Sequence, residues 1–171
     1  LYFYWYFVCS FIRKIRKQKL KEKKQFGLIG RNIDYSFSRN YFTKKFSATE
    51  TLSNYEYVNF DIESVEEVTS IFKQKNIHGL NVTIPYKESI IKHLDELDNI
   101  AFEIGSVNTI CYEDKKKIGY NTDIIGFTKA LDINGIDGFE SVIILGSGGA
   151  SKTVKYYCCL LYTSDAADEH T

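Results

Sequence analysis

The stretch Gly79-Leu80-Asn81-Val82-Thr83-Ile84-Pro85-Tyr86-Lys87 decides the fold class. Its first part is apolar and rich in β-branched residues, which favours a strand, and the only proline of the chain ends it. Proline cannot donate a hydrogen bond to a neighbouring strand, and it presets a turn or the first position of a helix. Lys87 is therefore expected just beyond a strand end, at the edge where open α/β sheets bind their ligands.

A lysine at this edge has two interpretations. It can donate or accept a proton in catalysis, or it can be a solvated residue that opens an amphipathic helix. Asn81 and Thr83 precede it on the same strand. Both are uncharged and can donate as well as accept hydrogen bonds, which suits a ligand that carries hydroxyl groups. The motif alone leaves the role of Lys87 open.

Apolar residues elsewhere alternate between the strand period and the helix period. Residues 26–30 and 55–60 are predicted strands, and the apolar spacing in residues 63–75 and 86–97 predicts helices. Strands that alternate with helices form βαβ units. We therefore predict an α/β fold with a mostly parallel open sheet and flanking helices, plus one hairpin turn at residues 115–117.

Polar residues recur where predicted strands pass into helices. Ser36 and Ser38 open the first helical run; one can cap the helix, and the other then leaves a hydroxyl beside the strand end. Asn108 lies in a second β-type run, and Asp123 follows a later strand. Either Thr122 or Asp123 can cap the helix that begins there, so capping and ligand binding are both open for Asp123.

A glycine-rich turn predicts a nucleotide site. Residues 141–145 (SVIIL) form an apolar run of the kind found in buried parallel strands. Gly146-Ser147-Gly148-Gly149-Ala150-Ser151 follows directly. Glycines in such a turn let the backbone approach a pyrophosphate closely, and the helix that follows offers free N–H groups at its N-terminus.

Both ends of the chain depart from the α/β pattern. Residues 1–12 are strongly aromatic, and a basic run follows up to Lys24. This apolar part is shorter than the roughly 20 residues of a transmembrane helix, and the order of charge and apolar residues is the reverse of a secretory signal. Residues 1–24 are interpreted either as an interfacial membrane anchor or as a leader foreign to the domain. Residues 156–171 are interpreted as a non-native tail.

Composition argues against several functions. The formal net charge is +0, and beyond the N-terminal run no basic residues interleave with aromatic ones, so we expect no nucleic-acid partner. The 4 cysteines form no CxxC pair and the 3 histidines are scattered, which predicts neither a metal site nor a disulfide framework. Free thiols favour a reducing, cytoplasmic location.

The ordered motifs together resemble the shikimate dehydrogenase family over about residues 25–155. They are Ser36-Phe37-Ser38, NVTIPYK at 81–87, VNT at 107–109, GYNTD at 119–123 and the glycine turn at 146–151. The resemblance implies a substrate-binding domain at residues 25–134. Residues 135–155 would then form the first βα unit of a Rossmann-like NADP-binding domain, here truncated.

The family reduces 3-dehydroshikimate to shikimate with NADPH, on the pathway to aromatic amino acids. By this resemblance Lys87 and Asp123 would be the catalytic pair, and no metal is required. The implied substrate-binding residues are Ser36, Ser38, Asn81, Thr83, Lys87, Asn108 and Asp123. The implied NADP-binding residues are Gly146, Ser147, Gly148, Gly149 and Ala150.

Several alternatives stay open at this point. The chain could use quinate as well as shikimate, or it could bind shikimate without catalysis. A membrane-attached protein that uses residues 1–24 is a third interpretation. The sequence leaves the choice between NADP and NAD open, and a homodimer is one candidate for the oligomeric state.

Overall fold

The structure is a computed structural model that describes residues 23–136 and 138–168, with the backbone alone for residues 161–168. Most of the predicted leader, residues 1–22, lies outside the described residues, as do residues 169–171 of the predicted tail. The interpretations of these two ends therefore stay predictions.

Within residues 23–136 six strands form one mixed sheet. Their order across the sheet is β2-β1-β3-β5-β6-β4. Strand β1 pairs in parallel with β2 and β3, and β4 pairs in parallel with β6, whereas β3–β5 and β5–β6 are antiparallel. The predicted α/β class is confirmed. The strands are β1 Lys24–Gly30, β2 Tyr55–Asp61, β3 Ile77–Val82, β4 Glu96–Leu97, β5 Thr109–Glu113 and β6 Lys116–Tyr120.

Five α-helices flank the sheet among the described residues. They are α1 Phe37–Ala48, α2 Val68–Phe72, α3 Asn99–Ile104, α4 Asp123–Ile133 and α5 Gly149–Asp168, with 3-10 turns at Glu50–Leu52, Val65–Glu67 and Ser89–His93. The helix predicted over residues 86–97 is wrong, because the only helical segment there is the 3-10 turn Ser89–His93. After that turn the backbone N–H groups of Asp95 and Asp98 donate to carbonyls of β6, so pairing with the sheet replaces the helix. The hairpin turn also lies one residue earlier than predicted, at Asp114 and Lys115.

The two faces of the sheet differ in what covers them. One face holds the main apolar core, in which Ile29, Leu80 and Ile110 pack with residues of the short helices. On the other face α1 packs through Phe42 and Phe46 over Phe26, Leu28 and Tyr57, as the apolar spacing predicted. Asn81 and Thr109 are a facing pair on this second face, since Asn81 is also paired with Leu28. The polar strand residues thus lie opposite the main core.

The strand predicted at residues 141–145 is wrong. These residues adopt no regular secondary structure, and Ile143 and Leu145 are 86% and 93% exposed. A strand needs a neighbour to accept and donate its backbone hydrogen bonds. No strand of the described residues lies beside this run, so its apolar composition alone does not make it a strand. The helix predicted after the glycine turn is present as α5.

We expect Ile110→Ala to destabilise the fold by about 2–5 kcal/mol. Ile110 is fully buried at the centre of the main core, so the shorter side chain leaves a cavity. Chemical denaturation of the purified chain, followed by circular dichroism, measures the change. Ile143→Ala is the matched control, because the side chain of Ile143 is exposed. Equal losses for the two variants would contradict the described core.

Candidate active site

Lys87 and Asp123 form an ion pair at one edge of the sheet. The Lys87 Nζ lies 2.5 Å from the Asp123 Oδ2, and the two side chains are 14% and 34% exposed. Lys87 follows the end of β3, and Asp123 is the first residue of α4 after β6. The pair therefore joins two strand ends that lie 36 residues apart in sequence. Lys87 precedes a 3-10 turn and not an α-helix.

The backbone around Lys87 is tied on both sides. Its carbonyl accepts a hydrogen bond from Val107 N at 2.8 Å, which joins it to the segment that leads into Asn108. The preceding residue, Tyr86, is buried, and its hydroxyl donates to the Ile62 carbonyl at 2.6 Å. These contacts fix the direction in which the Lys87 side chain leaves the main chain.

Asn108 orients the carboxylate of Asp123. Its Nδ2 donates to the Asp123 Oδ1 at 2.7 Å. Its Oδ1 accepts from Thr122 N at 2.8 Å and from the Thr109 hydroxyl at 3.0 Å. The Thr122 hydroxyl also donates to this Oδ1, at 3.1 Å. Because the acceptor end faces three donors, the amide has one favourable orientation. Each oxygen of Asp123 thus has one protein partner and keeps room for a further hydrogen bond from a ligand.

Tyr57 contacts a predicted substrate residue, and the sequence pattern did not reveal it. Its hydroxyl donates to the Asn81 Oδ1 at 2.8 Å, and the Ser38 side chain influences its pKa. The Phe42 ring stacks on the Tyr57 ring with centroids 4.7 Å apart. Burial raises the pKa of Tyr57 to about 12, against the smaller effect of Ser38. The strand pattern of residues 55–60 carried no signal for this role.

The amide group of Asn81 connects this part of the site to Asn108. Its Nδ2 lies 3.4 Å from the Thr109 hydroxyl and 3.5 Å from the Asn108 carbonyl. Both contacts are long, so the NH₂ group is held only weakly. Four predicted site residues thus belong to one chain of hydrogen bonds that also includes Tyr57 and Thr109. The chain runs through Tyr57, Asn81, Thr109, Asn108, Asp123 and Lys87.

Ser36 and Thr83 are placed by their backbones. Ser36 is the N-cap residue of α1, but its side chain makes no capping hydrogen bond, so the predicted capping role is not seen. Thr83 follows β3, and its N–H donates to the Ile29 carbonyl at 2.9 Å. Both residues are half-buried at the strand-end edge.

The side chain that caps α4 belongs neither to Thr122 nor to Asp123, the two candidates that the sequence offered. Thr122 occupies the N-cap position without a side-chain bond. The Asn121 Oδ1 instead accepts from the N–H groups of Asp123 and Ile124 at 3.1 and 3.3 Å. Asparagine is among the preferred capping residues, so the sequence held this signal. The Asp123 side chain is left to contact Lys87 and Asn108.

The glycine turn lies directly beside Lys87. Gly146 has a φ of +128°, a conformation that favours glycine. A Cβ atom on Gly149 would lie 2.4 Å from the Ser106 hydroxyl oxygen and 2.9 Å from the Lys87 Cβ, so only glycine fits there. Ser147 and Gly148 are exposed in front of the first turn of α5. This arrangement fits a pyrophosphate group, because the helix N-terminus points its N–H groups outward.

Residues 23–136 and 138–168 contain neither a metal-ion cluster nor a helix that could span a membrane. No group of three or more histidine, cysteine, aspartate or glutamate residues there could hold a metal ion. In the same part of the chain, none of the helices has the length and apolar character needed to cross a membrane.

Comparison with known proteins gives one family. Residues 28–110 match the family model of the shikimate dehydrogenase substrate binding domain. A curated shikimate dehydrogenase (NADP(+)) of Methanococcus maripaludis is 44% identical over 133 residues, which are 76% of this chain and 47% of that protein. The chain spans about half the length of the curated relatives it matches.

Solved structures agree with this match. The crystal structure of shikimate dehydrogenase 1 from Peptoclostridium difficile has a TM-score of 0.70 and 37% identity, over 80% of this chain and 51% of that one. A shikimate 5-dehydrogenase from Thermus thermophilus, solved in complex with NADP(H) and shikimate, has a TM-score of 0.67 and 29% identity, over 79% and 51% of the two chains.

We expect Tyr57→Phe to weaken the decline of stability at alkaline pH. Because the pKa of Tyr57 is raised from 10.0 to about 12 in the folded chain, its contribution is complete below pH 10 and is lost as the pH rises toward 12. The free energy of unfolding, measured by denaturation at about pH 9 and about pH 11, should therefore fall less in the variant. Tyr35→Phe, at an exposed position, should keep the wild-type decline. An unchanged decline in Tyr57→Phe would contradict the raised pKa.

Proposed function

Since the chain belongs to the shikimate dehydrogenase family through its substrate-binding domain, we propose that it carries the substrate site of an NADP-dependent shikimate dehydrogenase. The proposed reaction is the reversible reduction of 3-dehydroshikimate to shikimate. The observation that carries the proposal is the Lys87–Asp123 ion pair, which lies at a strand-end edge next to a glycine turn. The named activities of the relatives support the same reaction.

Lys87 has the chemistry that reduction of a ketone needs. A hydride added to the carbonyl carbon leaves negative charge on the oxygen, and a nearby acid must supply a proton. The Lys87 ammonium has three N–H bonds, of which one points to Asp123, so another can donate to the substrate oxygen. In the oxidation of shikimate the neutral amine accepts the hydroxyl proton. Asp123 orients the ammonium and can accept a hydrogen bond from a neighbouring hydroxyl.

The remaining polar residues suit a hydroxylated ring that carries a carboxylate. Ser36 and Ser38 lie at the N-terminus of the 12-residue helix α1, where the helix dipole and free N–H groups favour an anion. We assign the substrate carboxylate to these two serines. Asn81, Thr83 and Asn108 would contact the ring hydroxyls, and Asn81 can offer an NH₂ group that the protein holds only weakly.

The glycine turn is proposed to hold the pyrophosphate of NADP. The residues are Gly146, Ser147, Gly148, Gly149 and Ala150, at the N-terminus of the 20-residue helix α5. When bound, the nicotinamide cofactor supplies the hydride for reduction. Because Gly149 packs against Lys87, the turn holds its ligand on the side of the site where the proton donor lies.

Binding of shikimate without turnover is a second candidate for the chain itself. Residues 138–168 contain one helix and no strand, so within the described residues the proposed cofactor domain has only α5 and the turn before it. The proposed substrate residues, by contrast, all lie between Ser36 and Asp123, within the described part of the chain. We also propose a cytoplasmic location and a homodimer. Light scattering of the purified chain measures the molar mass and so tests the homodimer.

We expect the 171-residue chain to bind shikimate saturably, as measured by titration calorimetry. Asn81→Ala should weaken binding about 5- to 30-fold, which corresponds to the loss of a hydrogen bond worth about 1–2 kcal/mol. Asn40→Ala is the matched control, since Asn40 is exposed on α1. Quinate in place of shikimate tests the specificity. Absence of shikimate binding, or equal effects of the two variants, would overturn the substrate assignment.

We expect turnover when residues 23–145 replace the corresponding half of the Methanococcus maripaludis relative. Lys87→Ala in this chimera should lower kcat for NADP-dependent shikimate oxidation about 10²- to 10⁴-fold, the usual contribution of a general acid–base group. Lys92→Ala should leave kcat unchanged, because Lys92 forms only an exposed ion pair with Glu66. Unchanged turnover in Lys87→Ala would show that Lys87 is not the proton donor.

A further inference from the structure

The buried polar side chains of the described residues lie in one place. They belong to Ser106, Asn121 and Thr153, where α5 packs behind the Lys87–Asp123 pair. A buried polar group is costly unless it has hydrogen-bond partners. The position of this polar cluster, between the Lys87–Asp123 pair and α5, therefore indicates a role other than filling space.

Asn121 uses both ends of its amide group. The Nδ2 donates to the Ser106 carbonyl at 2.9 Å and to the Thr153 hydroxyl oxygen at 3.1 Å. The Oδ1 accepts the N–H groups of Asp123 and Ile124. A flipped amide would place its NH₂ group against these N–H groups and its oxygen against the Ser106 carbonyl. Only one orientation of Asn121 satisfies all four contacts.

Thr153 continues these hydrogen bonds into the glycine turn. Its hydroxyl donates to the Gly149 carbonyl at 3.2 Å, and Gly149 is the residue that packs on the Lys87 side chain. On the other side, Lys152 Nζ lies 2.5 Å from an oxygen of Glu88, the residue after Lys87. The first turn of α5 is thus fastened to the chain next to Lys87 and to the chain next to Asp123.

We propose that Asn121 and Thr153 are positioning residues that hold the helix of the glycine turn in register with the Lys87–Asp123 pair. Asn121 precedes Asp123 by two residues and binds its backbone N–H, so a shift of α5 is transmitted to the carboxylate. This matters for the reaction because a displacement of about 1 Å between reacting groups can cost about 100-fold in rate. The relevance to catalysis rests on the proposed function, but the register itself does not.

Thr153→Val tests the register in the 171-residue chain. Valine keeps the shape of threonine but removes the hydroxyl that accepts from Asn121. The measurement is the nuclear Overhauser cross-peak between the Gly149 Hα and the Lys87 Hβ protons. We expect this cross-peak in the wild type, its loss in Thr153→Val, and its return in Thr153→Ser, which restores the hydroxyl.

Two further variants separate positioning from a general loss of stability. Thr69→Val is the matched control. Like Thr153, Thr69 donates its hydroxyl to a backbone carbonyl of its own helical segment, that of Glu66, but it lies away from α5. The Gly149–Lys87 cross-peak should therefore persist in Thr69→Val. Asn121→Asp keeps the oxygen that caps α4 and loses the NH₂ donor, so the cross-peak should be lost in this variant too. It replaces Thr153→Val as the test if Thr153→Val fails to fold. A cross-peak that persists in folded Thr153→Val or in folded Asn121→Asp would overturn the proposal.

Addition of shikimate links the register to the site. In the wild type, saturating shikimate should shift the backbone amide resonances of Gly149 and Thr153, and in Thr153→Val this shift should be lost while the Asn81 resonance still responds. A wild type that does not respond at Asn81 refutes the proposed function and leaves the cross-peak result to decide the register. A Thr153 variant with the full α5 response would show that the coupling does not pass through this hydroxyl.

Discussion

An ammonium group that is largely withdrawn from water needs a negative partner, and this requirement organises the site. Removing a charge from water costs free energy that only a close, oriented counter-charge offsets. For Lys87 that partner is Asp123, which comes from a different strand end. The two ends meet because the antiparallel strand β5 lies between β3 and β6. The hairpin that interrupts the parallel sheet thus makes the pair geometrically available.

The two faces of the sheet contribute differently to the site around this ion pair. One face is closed by apolar residues of the short helices, which gives the strands a rigid base. The other carries Tyr57, Asn81 and Thr109, whose hydrogen bonds run from α1 toward Asp123. A side-chain amide that binds on both its oxygen and its nitrogen cannot rotate without losing a partner. Asn108 and Asn121 both have this property, so they act as fixed parts of the scaffold around the Lys87–Asp123 pair.

The sequence predicted the elements that depend on local pattern. Strands β1, β2 and β3, the inner face of α1 and the strand-end places of Lys87 and Asp123 follow from apolar periodicity and from the stop at Pro85. Failures occurred where a distant segment decides the structure. Residues 94–98 bond to β6, and residues 141–145 have no partner strand within the described chain. Tyr57 could not be found from its own strand, because its role arises from Ser38 and Asn81, which come from other elements.

The apolar run Val142-Ile143-Ile144-Leu145, in which Val142, Ile143 and Leu145 are exposed, has a consequence for the protein in solution. It is uncharged, its residues have strong β propensity, and its backbone is not paired to a strand of the described sheet. Segments with these properties are templates for strand pairing between molecules, the first step toward cross-β aggregation. A formal net charge of +0 at pH 7 adds no electrostatic repulsion to oppose such contacts. This run therefore favours strand pairing between molecules when the protein is concentrated.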